Sequence, residues 1–98
     1  MAIPQPKHML SPGEILSEIY MKDQGFNQTS LAKALNCKPG KINEIVNRRR
    51  AISPKFAIQL SMVLKTTSTL WIRLQADYDL FLAQKKFDEE FSEKTKIG

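Results

Sequence analysis

The sequence has little of what disulfide-bonded, metal-binding or membrane-spanning proteins need. It holds one cysteine, Cys37, and one histidine, His8, in 98 residues, which excludes an internal disulfide and a cysteine-based metal site. No apolar run approaches the ~20 residues that span a bilayer. The first residues carry Pro4 and Pro6 but no hydrophobic block typical of a signal peptide. We therefore expect a cytoplasmic protein that uses no cofactor and contacts no membrane.

Groups that could carry out a reaction are missing as well. The sequence shows no carboxylate pair in an apolar setting, no nucleophile beside a base and no phosphate-binding loop. His8 has no second histidine, and no carboxylate precedes Glu14, so it lacks partners for metal binding or proton transfer. We expect no enzymatic activity.

What is present is an ordinary globular composition with an uneven distribution of charge. The chain is 42% hydrophobic and 26% charged, which suits one small domain. Its net charge is +5, and residues 36–50 hold five cationic residues against Glu44 alone, five minus one, or +4. Such clustering is typical of a nucleic-acid-binding surface, and a solvated basic face is the plainer alternative.

The clustered charge lies in and beside two short predicted helices joined by a tight turn. Asn27 caps the first helix, whose apolar stripe includes Leu31 and Leu35. Residues 36–38 are too few for an independent loop, and Pro39 suits the first position of the second helix. A helix-turn-helix presents its recognition helix to the DNA major groove in this way, although a tight helical hairpin in an all-α core is commoner.

A further helix is expected before this pair. Ser11 and Glu14 form a capping box that opens it, and Gly25 is a natural stop near its end. Its predicted apolar face consists of Ile15, Leu16, Ile19 and Tyr20.

Two more helices follow the basic run. Ser53 repeats the start signal, and the cluster of hydroxyl residues at 66–68 predicts a break and a new cap. The last helix carries a wide apolar stripe that continues to Phe81 and Leu82, and it can extend past Lys85. No stretch alternates as a strand does, so the sequence predicts an all-α chain of five helices.

We divide the chain into a leader (residues 1–10), a helix-turn-helix domain (residues 11–83) and an amphipathic extension or tail (residues 84–98). The last segment has four lysines and four acidic residues, and therefore no net charge. Phe87 and Phe91 stand four residues apart within it. It is either a frayed tail with incidental aromatics or an amphipathic extension that docks on a partner.

These motifs together make the chain similar to HigA-type antitoxins, a branch of the Cro/C1-type (Xre) helix-turn-helix proteins. The resemblance covers most of residues 12–80. The motifs that carry it are Pro12-Gly13-Glu14-Ile15-Leu16, Gln28, Leu31-Ala32-Lys33-Ala34-Leu35, Ile42-Asn43-Glu44-Ile45-Val46-Asn47, Ile52, Leu70-Trp71 and Leu74-Gln75-Ala76-Asp77-Tyr78-Asp79-Leu80.

The resemblance implies a dimeric antitoxin that binds DNA and represses its own operon. It also implies a cognate HigB-type toxin, a ribosome-dependent mRNA endonuclease resembling RelE, which the antitoxin binds and silences. Two other functions compete with this one: a stand-alone phage-type repressor without a toxin, and a toxin-neutralising interaction module with little DNA affinity. Arg48 and Lys65 stand where the family often has glycine, so these helices are expected to end differently or to extend.

We therefore expect a five-helix, lambda-repressor-like homodimer that binds double-stranded operator DNA. By resemblance, Gln28 hydrogen-bonds a backbone phosphate. The cations should contact phosphates or guanines, and the amides of Asn43 and Asn47 should contact bases or sugar-phosphate. Glu44 either accepts from a cytosine amino group, keeps neighbouring cations in place, or stays solvated. The candidate DNA-binding residues are Gln28, Thr29, Lys38, Pro39, Gly40, Lys41, Asn43, Glu44, Asn47, Arg48, Arg49 and Arg50. The candidate dimer contacts are Phe81, Leu82, Phe87 and Phe91.

Overall fold

The computed structural model describes residues 8–95, which form five helices and no strand. The all-α prediction is thereby confirmed. The first helix, α1, covers residues 12–24, and the others are α2 (Gln28–Leu35), α3 (Pro39–Val46), α4 (Pro54–Leu64) and α5 (Ser68–Thr95). Helix α1 packs against α3 and α5, α2 packs against α3 and α4, and α4 packs against α5.

The helices begin at the caps that the sequence predicts. The Ser11 hydroxyl accepts from the Glu14 amide at 3.1 Å, while the Ser11 amide donates to the Glu14 carboxylate at 3.3 Å. Asn27 and Ser53 cap α2 and α4 through their side chains. The break predicted at residues 66–68 is present, with Thr67 accepting from the amide of the third residue after it. Each of these bonds satisfies an N–H that the first helical turn leaves without a partner.

Four helices end with one residue in the left-handed conformation. These residues are Gly25, Asn36, Arg48 and Lys65, with φ between 55° and 73°. In each case the next amide donates to a carbonyl five residues back, as from Arg49 to Glu44 at 2.7 Å, which is the Schellman motif. The expectation that the helices at Arg48 and Lys65 end differently is wrong. Both residues adopt the glycine-like conformation, at a cost of about 1–2 kcal/mol each for an L side chain.

Helix α1 changes its helical repeat in the middle. Its pieces are α-helical Pro12–Ile15, π-helical Leu16–Met21 and α-helical Lys22–Gln24. The wider π turn brings residues five apart onto one side, so Leu16 and Met21 are both buried, while Ile19 is 52% exposed. The prediction that Ile19 belongs to the apolar face is wrong, because it assumed the α-helical repeat throughout.

The core lies among the five helices, with Trp71 of α5 fully buried in it. The Trp71 indole N–H donates to the Thr66 hydroxyl at 2.8 Å, so its one polar atom is satisfied. The ring of Tyr20 meets it edge to face at 5.2 Å between centroids. The buried apolar residues are Leu16, Met21, Leu31, Ala32, Leu35, Ile42, Ile45, Ile52, Phe56, Ala57, Leu60, Leu64 and Trp71.

A close backbone contact between α1 and α3 forms at Gly13, which is buried. A Cβ built on Gly13 would lie 1.8 Å from the carbonyl oxygen of Ile45 and 2.6 Å from its carbonyl carbon. No side chain fits in that space, so α1 reaches the last turn of α3 only because residue 13 is glycine.

Helix α5 continues well beyond the core. Its 28 residues span about 42 Å at 1.5 Å per residue, and it crosses the predicted domain boundary between residues 83 and 84 without a break. That division stays a prediction. Exposed apolar side chains concentrate in this helix from residue 80 onward, namely Leu80, Leu82, Phe87 and Phe91, which are 45% to 66% exposed. Within residues 8–95, no helix combines the length and apolar character needed to cross a membrane.

Replacing Gly13 with alanine should destabilise the fold. The added methyl meets backbone atoms that cannot rotate away, so α1 and α3 must separate, and we expect a loss of about 3 kcal/mol in the free energy of unfolding. Gly40→Ala is the matched control, because a Cβ at Gly40 meets nothing within 4 Å and alanine favours a helix by about 0.5–1 kcal/mol. Urea unfolding followed by circular dichroism measures both, and equal midpoints would contradict the close contact.

Candidate nucleic-acid interface

The surface that the sequence predicts for DNA is formed mainly by α3. This helix buries Ile42 and Ile45 against the core and leaves the opposite face exposed at Gly40, Asn43 and Asn47. That separation follows from the α-helical repeat, which places the two sets of residues on opposite sides. Amide side chains on the outer face offer both donors and acceptors, which is what base edges in the major groove require.

Side chains from α2 and α3 are linked on this surface. The Asn43 amide donates to the Gln28 side-chain oxygen at 3.3 Å, which ties the first residue of α2 to the middle of α3. The Asn47 amide donates to the backbone carbonyl of Asn43 at 2.9 Å. Thr29 and Lys38 are exposed at the beginnings of the same two helices. The predicted polar residues of the two helices therefore form one continuous surface.

Lys41 is held differently from a solvated lysine. Its ammonium group lies 4.4 Å from the centre of the ring of Phe56, a buried aromatic residue in the first turn of α4, which makes a cation–π contact. Lys41 is correspondingly half-buried. The contact fixes the position of this charge beside the outer face of α3, close to the exposed Pro39 and Gly40.

The three consecutive arginines are exposed but not equivalent. Arg48 lies 3.6 Å from the carboxylate of Glu14, the residue that also completes the cap of α1. Arg50 donates through Nε to the carboxylate of Glu44 at 2.8 Å. Within residues 8–95, the guanidinium of Arg49 has neither an ion pair nor a hydrogen bond. Arg49 therefore carries the uncompensated charge of the run.

The loop after the arginines is fastened to α5. The Ile52 amide donates to the side-chain oxygen of Gln75 at 2.8 Å, and Gln75 donates in turn to Asp79 at 2.9 Å. Between this loop, the start of α1 and α5 lies an open cavity of ≈ 190 Å³, which Arg48 and Leu82 help to line. Gln75 and Glu14 were not among the predicted site residues. Gln75 lies in one of the motifs shared with HigA-type antitoxins, but no role was predicted for it. Glu14 was predicted only to cap the first helix.

The four predicted dimer residues do not lie together in a single patch. Leu82 lines the cavity beside the arginines, whereas Phe81 lines a second cavity of ≈ 170 Å³ together with Met9. Phe87 and Phe91 stack with centroids 6.2 Å apart further along α5. In the part of the chain that the structure describes, no three His, Cys, Asp or Glu residues group as a metal site would require.

Comparisons with known proteins agree with this architecture. The helix-turn-helix family model HTH_3 matches residues 18–72. Virulence-associated protein I of Dichelobacter nodosus is 39% identical over 88 residues, which cover 87% of this chain and 82% of that protein.

Solved structures of antitoxins are similar as well. The Pseudomonas aeruginosa antitoxin HigA, solved with the higBA promoter, has a TM-score of 0.78 and 30% identity, with 84% of this chain and 89% of that one covered. An addiction module antidote protein of a HigA family from Coxiella burnetii has a TM-score of 0.76 and 31% identity, with 86% and 91% covered. The predicted resemblance to HigA-type antitoxins with an Xre-type helix-turn-helix is thereby confirmed.

Arg49→Ala should weaken binding to every DNA duplex to a similar degree. Removing one phosphate contact lowers the slope of log affinity against log salt by about 0.9. Arg73→Ala is the control, because Arg73 is exposed and lies roughly 200° around α5 from Gln75, away from the arginine loop. Fluorescence anisotropy over a salt series measures the slopes. A changed base preference with an unchanged slope would make Arg49 a base-reading residue instead.

Proposed function

We propose that this chain, which belongs to the HTH_3 family of helix-turn-helix proteins, is a sequence-specific DNA-binding antitoxin that represses its own operon. The observation that carries the proposal is the continuous surface formed by α3, the start of α2 and the arginine run. It combines exposed amides at Asn43 and Asn47 with the uncompensated charge of Arg49. Polar amides next to cations are what recognition of base edges and phosphates requires. Such a protein would act in the cytoplasm.

Some residues of this surface would position the protein on the DNA through phosphate contacts, and others would contact base edges. The half-buried Gln28, which begins α2, and the exposed Lys38, which precedes α3, would contact the phosphate backbone and set the depth of the helix in the groove. The bond from Asn43 to Gln28 would then orient the Asn43 amide while it contacts a base. Asn47, one turn further on, would reach a neighbouring base pair or the sugar-phosphate.

A second copy of this chain is the partner that we propose for α5. Leu80 and Phe87 recur seven residues apart and are 66% and 60% exposed, so they lie on one side of the helix. Helix-turn-helix proteins bind paired half-sites as dimers, and a symmetric contact uses the same face of both copies. Residues 84–98 carry no net charge, so two copies of this segment would not repel each other. Phe81, Leu82 and Phe91 are the other proposed contacts.

The toxin partner of the proposal is a HigB-type, RelE-like mRNA endonuclease. It is supported by the likeness to HigA of P. aeruginosa and to the antidote protein of C. burnetii. The gene beside this one separates this function from a stand-alone repressor. A neighbouring product that is toxic alone and co-purifies with this chain supports the antitoxin, whereas the absence of such a gene favours the repressor.

Footprinting on the region upstream of the chain's own gene should reveal two half-sites related by two-fold symmetry. Their centres should lie about 34–36 Å apart, one turn of B-DNA, because two recognition helices of a dimer enter successive major grooves on one side. A scrambled duplex of equal length is the control. An asymmetric site would argue against a dimer, and binding that does not weaken with salt would favour the interaction module with little DNA affinity.

Phe87→Ala and Leu82→Ala should yield folded monomers. Both side chains are substantially exposed in the single chain, so their loss removes contact area between copies rather than core packing. Met62→Ala is the control, an equally conservative change at a residue of α4 that is 76% exposed. Sedimentation beside circular dichroism reports assembly and fold. Dimers that persist in both variants would show that the interface lies elsewhere, and the N-terminal leader would then be the next segment to test.

A further inference from the structure

The carboxylate of Glu44 lies on an otherwise basic surface. It is half-exposed in the middle of α3, between Asn43 and Asn47 along the helix. It receives the Nε–H of Arg50 at 2.8 Å. Glu44 and Arg50 are six positions apart in the sequence, so this is not the ion pair between residues three or four apart that is common on helix surfaces.

The backbone brings these two side chains together. Arg48 takes the left-handed conformation with φ of 63°, and the Arg49 amide donates to the backbone carbonyl of Glu44 at 2.7 Å. This reversal folds the chain back along α3, so that Arg50 arrives beside the Glu44 side chain. The loop is then held from the other side by the bond from Ile52 to Gln75. The pairing is therefore a consequence of how the recognition helix ends.

An arginine that is paired in this way is a poorer ligand for DNA than its charge suggests. Phosphates within about 10 Å of Glu44 are repelled by its carboxylate at ordinary ionic strength. Arg50 can meet a phosphate only by leaving or sharing that carboxylate, so a duplex of arbitrary sequence gains little from it. On the reading face, a carboxylate has favourable partners only in base amino groups, of which cytosine N4 is the usual one.

We propose that Glu44 is a specificity-determining residue that holds Arg50 and thereby lowers the affinity for DNA of arbitrary sequence. An operator that offers the carboxylate a base amino group draws Glu44 away and releases Arg50 to a phosphate. The operator complex thus gains two contacts that other duplexes do not, and discrimination arises largely by penalising the wrong DNA. This inference rests on the proposed function, since it assigns a role within the same DNA surface.

Glu44→Gln tests the role of the carboxylate, because glutamine keeps the shape and an acceptor oxygen but removes the charge. Glu18→Gln is the matched control. It makes the same change of one charge at an exposed carboxylate of α1, which is paired with Lys22 at 3.4 Å and lies outside the surface described above. Arg50→Ala and the double variant Glu44→Gln/Arg50→Ala complete the set. Thermal melts establish that each protein is folded, as expected for exposed ion pairs, which contribute little to stability.

Affinities are measured for the chain's own upstream duplex and for a scrambled duplex over a series of salt concentrations. We expect Glu44→Gln to tighten binding to the scrambled duplex about tenfold and to steepen its salt slope by about 0.9, one additional phosphate contact. The gain should disappear in the double variant, and the preference for the upstream duplex should fall at least about tenfold. Arg50→Ala alone should change scrambled-duplex affinity little.

Two results would overturn the inference. Glu44→Gln could tighten both duplexes no more than Glu18→Gln does, which would leave only an effect of overall charge. The gain could also survive in the double variant, which would show that it does not pass through Arg50. The proposed function fails separately: wild-type protein without preference for the upstream duplex refutes sequence-specific repression, while the gain on scrambled DNA and its loss with Arg50 would still establish the hold on Arg50.

Discussion

The position of the recognition helix depends on the contact of α1 with the last turn of α3. At Gly13 the two backbones approach so closely that a methyl group has no room, and this proximity brings the cap of α1 beside the arginine run. Glu14 therefore stabilises both the start of α1 and the end of α3, because its carboxylate accepts from the Ser11 amide and pairs with Arg48. The charged loop is therefore ordered by the same packing that orients α3, and on its far side by Gln75 of α5.

Features decided within four or five residues could be predicted from the sequence. The caps at Ser11, Asn27 and Ser53 are present because a short polar side chain just before a helix accepts a hydrogen bond from a backbone N–H of the first turn, only three residues away. The outward face of α3 was predictable for a similar reason, since an apolar stripe at Ile42 and Ile45 leaves only one side to solvent. Local chemistry and helical periodicity thus predicted where the candidate site lies.

Features that arise from packing between distant segments could not be predicted in this way. Because part of α1 is π-helical, Met21 is buried in the core and Ile19, which was predicted there, is exposed. Nothing in the residue types indicates this change of helical repeat. The pairing of Arg50 with Glu44 needs the chain reversal at Arg48, where the sequence suggested a different helix end. A run of arginines predicts a basic surface, but only coordinates reveal which of the charges are already compensated.

The two non-glycine residues that end α3 and α4 have opposite implications for protein engineering. At Lys65, glycine would relieve the left-handed strain at φ of 58° without touching the DNA surface. At Arg48, the same exchange would relieve comparable strain but would remove a guanidinium beside the recognition helix and its pairing with Glu14. Relief of backbone strain at residue 65 therefore leaves the predicted DNA surface unchanged, whereas at residue 48 it would remove one of the predicted DNA contacts together with the pairing to Glu14.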